Sequence, residues 1–67
     1  MDGPEHYTGF IVGDRVKKVS GYTYLGTIVS IFTTLDGKQR YVVENTQSRG
    51  MLHIFNKEQL AHDYDAE

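Results

Sequence analysis

The residues best suited to chemistry in this 67-residue chain are three histidines, His6, His53 and His62, among seven Lys+Arg and nine Asp+Glu. The histidines stand far apart, without the spacing of a metal-ligand set. There is no cysteine, which closes disulfide and thiolate–zinc chemistry. Neither a nucleophilic triad nor a glycine-rich phosphate loop is recognisable. Taken by themselves, His53 is a strand histidine half exposed on a surface and Lys18 an ordinary solvated lysine. Tyr22 and Tyr24 can stack on a base or a peptide proline, or cover one end of the fold. Arg15, Lys17, Lys18, Lys38 and Arg40 are the candidates for a basic face. A net charge of -2 argues against nucleic acid as the main partner.

The elements that must position these residues are few. A chain this short makes one domain, and a domain of this size hides only about 60% of its unfolded surface. Small folds recruit disulfides, metals or further copies to make up the difference, and here further copies are the route left open. No apolar run is long enough to cross a membrane. The start of the chain lacks the basic residues and apolar run of a secretion signal. The expectation is a soluble, cytoplasmic protein without a membrane partner.

Residues 1–9 read as a flexible arm and residues 65–67 as a frayed acidic end. Between them, over 10–64, the apolar period is two. Val16 to Val19 forms a first strand after the Gly13-Asp14 turn, and a loop follows from Ser20-Gly21 through Tyr24. Gly26 to Thr34 is the longest strand, rich in β-branched residues. Asp36-Gly37 folds it back as a hairpin on Arg40 to Glu44. A fourth strand runs from Met51 to Phe55. Asn56, with Gln59 three residues later, caps a single helical turn before a last strand over Ala61 to Tyr64. The expected fold class is all-β: a small five-stranded SH3-like barrel with one 3₁₀ turn before the last strand.

Alternation assigns faces. On the long strand Ile28 and Phe32 point one way, Val29 and Ile31 the other. On the fourth, Leu52 and Ile54 oppose Met51, His53 and Phe55. A sheet with one wet face carries polar residues there. Apolar residues on both faces point to a surface covered by another subunit, or to curvature that covers both faces within one chain.

An ordered series of words runs from Gly13 to Leu60. It comprises Gly13-Asp14-Arg15-Val16, Lys18, Ser20-Gly21, Gly26 with Ile28-Val29, Tyr41 with Val43-Glu44, Gly50, Ile54 and Leu60. In this series the chain resembles the plasmid-borne type II (type B) dihydrofolate reductases, which are insensitive to trimethoprim and unrelated to the chromosomal enzyme. The resemblance implies a homotetramer with 222 symmetry around one pore, in which NADPH and a pterin meet. It implies no carboxylate acid catalyst. The protein orients the ligands and the cofactor supplies the hydride.

Residue by residue, Lys18 stands where the family has a lysine that attracts the anionic tails of both ligands. The family's pore strand reads Val-Gln-Ile-Tyr, and this chain has Leu52-His53-Ile54-Phe55. Ile54, whose backbone would bond pterin and nicotinamide carboxamide, is kept. His53 replaces the glutamine at the pore centre, Phe55 the tyrosine and Met51 a serine. Tyr24 and Ile31 replace tryptophans, and Ser48 the interface histidine. The candidate ligand-binding residues are therefore Lys18, Met51, His53, Ile54 and Phe55, with no catalytic residue assigned and no metal. The alternative is a non-catalytic SH3-like module, phage- or mobile-element-encoded, that binds a nucleotide-like ligand, a peptide or a protein.

Overall fold

The computed structural model describes residues 9–65. The flexible arm expected over residues 1–9 lies, apart from Gly9, outside the described residues, as do the last two positions of the acidic end. Five strands form one antiparallel sheet: β1 (Arg15–Lys18), β2 (Leu25–Thr33), β3 (Gln39–Asn45), β4 (Leu52–Phe55) and β5 (Leu60–His62). A 3₁₀ turn, Lys57–Gln59, precedes the last strand. The all-β class and the order of elements follow the pattern read from sequence, with strand ends displaced by one or two residues. The sheet runs β4-β3-β2-β1-β5. It is open, with β4 and β5 at its two edges.

Turn chemistry sets the joints. At the β2–β3 hairpin Thr34 N donates to Lys38 O at 2.8 Å, and Lys38 N donates back to Thr34 Oγ1 at 3.1 Å. The 3₁₀ turn carries a full capping box. Gln59 N donates to Asn56 Oδ1 at 3.1 Å, and Asn56 N donates to Gln59 Oε1 at 2.9 Å. Two donors that the short helix leaves open are thus satisfied reciprocally. The turn before β1 is held differently. Asp14 Oδ2 accepts from Ile11 N at 3.0 Å and lies 3.1 Å from His62 Nε2.

Every strand contributes to one core of Val16, Ile28, Tyr41, Val43, Phe55 and Leu60, joined by Tyr24 from the loop before β2. Phe10 and Ile31 pack against it. Beyond Ile28 the faces of the long strand differ from those expected. The β2–β3 register steps from Ile28↔Val43 to Ser30↔Val42, so Val29 is a bulged residue without a cross-strand partner. One extra residue reverses the phase of everything after it. Ile28 points into the core, and beyond the bulge it is Ile31, opposite buried Tyr41, that turns inward. Phe32, expected beside Ile28, is on the other face and exposed. On β4 the expected alternation holds: Phe55 is buried and His53 half-buried, whereas Leu52 and Ile54 are exposed.

Gly26 faces Glu44 and Val43 of β3 with no room for a side chain. A Cβ there would come within 2.3 Å of Glu44 O and 2.7 Å of Val43 Cγ1, and the first of these is backbone that cannot step aside. Gly26→Ala should therefore cost about 3 kcal/mol or more by overpacking. Gly37→Ala meets nothing within 4 Å, but its φ of +87° leaves a conformational penalty of roughly 1–2 kcal/mol. Urea denaturation of the two variants should rank them in that order.

Candidate functional site

At one end of the sheet the chain stacks a cation and four rings in sequence. Lys18 ends β1, and its Nζ donates to Ser20 O while lying 4.5 Å from the centroid of the Tyr22 ring. Tyr22 Oη is 3.5 Å from His53 Nδ1. The His53 ring stacks on Tyr24 at 4.7 Å with 25° between planes, and Tyr24 meets Phe55 nearly edge-on at 5.2 Å. The ladder begins in solvent at Tyr22 and ends in the core at Phe55. Its outer rungs present one cation and the faces of two rings. That combination suits a flat, anionic ligand: the rings offer stacking surface and the amine a counter-charge.

Tyr24 holds the ladder together. Its hydroxyl is buried and donates to Val43 O at 3.0 Å and Met51 O at 3.1 Å. One proton thereby ties the loop before β2 to β3 and to the entry of β4. Burial pushes the Tyr24 phenol above its usual 10.0, with a hydrogen bond from the Asn45 side chain opposing the shift and the neighbouring Tyr22 and Glu44 adding to it. A neutral phenol is what two carbonyl acceptors require.

The fourth strand carries the other half of the site. Asn45 N donates to Met51 O at 2.9 Å, and antiparallel pairing alternates bonded and non-bonded pairs. Val43/His53 and Tyr41/Phe55 are consequently the mutually bonded pairs. The backbone N–H and C=O of Leu52 and Ile54 point away from β3, off the free edge of the sheet. Their side chains are 52% and 60% exposed, and the cross-strand row Ile54–Val42–Ser30 runs on from them. An apolar face and a row of open backbone groups thus share one edge.

The five residues named from sequence do not all meet. Lys18 and His53 come together through Tyr22, which the sequence-named set left out although its place in the loop after Lys18 marked it as a stacking candidate. Ile54 offers backbone at the edge. Met51 is exposed ahead of β4 and contributes its carbonyl to Tyr24. The Phe55 side chain is 2% exposed and has no surface left for a ligand. The expected basic face is divided: Arg15 and Lys17 line a cleft with Asp63 and Asp65, and Lys38 and Arg40 line another with Lys57. Among the described residues no group of three or more His, Asp or Glu could hold a metal ion, and no helix is long and apolar enough to cross a membrane. No family model matches the chain, and no curated protein does.

Removing the Tyr24 hydroxyl tests the pin. Tyr24→Phe should cost about 1–2 kcal/mol, because Val43 O loses a buried donor. A phenol whose folded pKa is raised contributes stability that is complete below the unfolded pKa near 10.0. That contribution is lost as pH rises through the folded value. Thermal melts from pH 8 to pH 11 should accordingly fall more steeply in the parent than in Tyr24→Phe. Parallel curves would remove Tyr24 as the source of the alkaline loss.

Proposed function

We propose that this chain is a subunit of a type II dihydrofolate reductase-like homotetramer, whose copies meet along β4 and enclose a site for NADPH and dihydrofolate. The observation that carries the reading is the β4 edge, where exposed Leu52 and Ile54 side chains accompany outward-facing backbone groups. A chain of this size gains most from covering such an edge with further copies. The ordered words from Gly13 to Leu60 support the same assignment.

The residues present suit the cofactor's chemistry. Lys18 would hold an anionic group, the Ile54 backbone would hold an amide, and Tyr22 with His53 would offer flat surface to a ring. NADPH, when bound, supplies the hydride. The chain's own part is to orient and to exclude water once copies close over the apolar face. His53 brings a shorter, wider polar group than the family's glutamine, and Phe55 brings no hydroxyl.

A second reading is a non-catalytic module that binds a nucleotide-like ligand at the same ladder. It is favoured by the engagement of His53 with both Tyr22 and Tyr24, which leaves the imidazole less free to serve a reacting pterin. One preparation separates the two. Sedimentation at micromolar concentration should give four times the 7.6 kDa protomer mass, and NADPH oxidation should depend on dihydrofolate and persist with trimethoprim. Tetramers that bind NADPH without turnover select the second reading, and a cooperative monomer excludes the pore.

Lys18→Met provides the residue-level check. Nucleotide affinity should drop roughly fivefold and its salt dependence should flatten, since an exposed charge acts through a screened field. Melting should barely change. Unaltered NADPH affinity would return Lys18 to a plain surface role.

A further inference from the structure

Three of the seven lysines and arginines in this acidic chain gather at one cleft. It measures about 440 Å³ and lies between the start of β3 and the 3₁₀ turn, ringed by Lys38, Arg40 and Lys57. Glu58 is the one acid in its lining. Both lysines are exposed, and neither amine has a hydrogen-bond or ion-pair partner among the described residues. Arg40 reaches only the carbonyl of its neighbour Gln39, through Nη1 at 2.9 Å, which leaves most of its donor fork free. The other basic cleft carries acids of its own. Arg15 and Lys17 share their cleft with Asp63 and Asp65, and Lys18 lies apart, over the Tyr22 ring.

The scaffold under this cleft is stiff. Lys38 closes the Thr34–Lys38 turn through hydrogen bonds of its own N–H and C=O, and Lys57 rides on the turn fixed by the Asn56–Gln59 capping box. Two short turns therefore bring like charges to the lining of one cleft. Such an arrangement is repulsive when empty, and a multiply charged anion between the cations reverses the sign.

We propose that this cleft binds the diphosphate or polyphosphate group of a small molecule. Three cations lining one cleft match a group that bears at least two negative charges, where one carboxylate would engage only part of the set. Arginine's planar fork and the lysines' point charges are the usual pairing for phosphate oxygens. Glu58 in the lining and the net negative charge of the chain select against a long polyanion. Neither Lys18 nor His53 lines this cleft, and the proposal stands apart from the reductase reading.

The probe is pyrophosphate, titrated into the full ¹⁵N-labelled chain at constant ionic strength. Amide shifts should saturate in the low millimolar range and centre on Lys38, Arg40, Lys57 and Glu58. The double variant Lys38→Gln/Lys57→Gln should weaken binding about tenfold, and Lys17→Gln should leave it unchanged. Glu58→Gln should tighten it about threefold, a gain that misfolding cannot imitate. Diffuse, non-saturating shifts, equal losses in the Lys17 and double variants, or an unaffected Glu58 variant each overturn the site. A thymidine strand of about ten nucleotides that binds more tightly than pyrophosphate overturns the compact ligand in favour of a polyanion track.

Discussion

A phenol buried at the end of a sheet has to find acceptors, and Tyr24 finds two on different segments. Its bonds to Val43 O and Met51 O fix the loop before β2 against β3 and against the entry to β4. The same ring supplies the surface on which His53 stacks and the edge that meets Phe55. Without it His53 would lose the ring it stacks on, and with His53 displaced Tyr22 would lose its neighbour. An unmet hydroxyl at this depth would cost a few kcal/mol, so the side chain either makes these bonds or the end of the sheet opens. Site and stability share one hydroxyl here.

The bulge at Val29 plays the corresponding part for the sheet. Nine residues of strict alternation in β2 would place Phe32 with Ile28 inside and leave Ile31 outside. The extra residue exchanges them beyond that point, and the core gains Ile31 against Tyr41. Nothing local in Thr27-Ile28-Val29-Ser30 announces the insertion, because every one of these residues suits a straight strand. The other joints are legible for good reason. Asp36-Gly37 and the Asn56…Gln59 box are local chemistry, satisfied within four or five residues, and the structure uses each as its residue types dictate.

The candidate site was legible in part for the same reason. Lys18 and His53 were visible as residue types, and alternation placed His53 on the face of Phe55. Their meeting is a long-range event, made by a loop tyrosine 31 positions from the histidine it touches, and period-two patterning carries no information about such a contact. Burial of Phe55 was equally hidden, since a strand read alone does not say which of its two apolar faces goes inward. The division of the basic residues into two clefts depends on Lys57, whose place beside Arg40 follows from the β3–β4 pairing and the turn beyond it rather than from any charge pattern in the chain.

The pairing of β1 with β5 brings Asp14 and His62 together from 48 positions apart. Closing a loop of that length costs about 3 kcal/mol of chain entropy or more, before a three-residue strand returns any of it. The β2–β3–β4 meander faces no such barrier, because its turns close over a few residues each. Loop entropy therefore favours local assembly of the meander ahead of the longer search that brings β5 to β1. During that search β1 is itself an unpaired edge, and the side of Val16 that β5 covers stays open to water and to other chains. The shortest strand of the sheet is thus the one that ends the period in which this domain is vulnerable to aggregation.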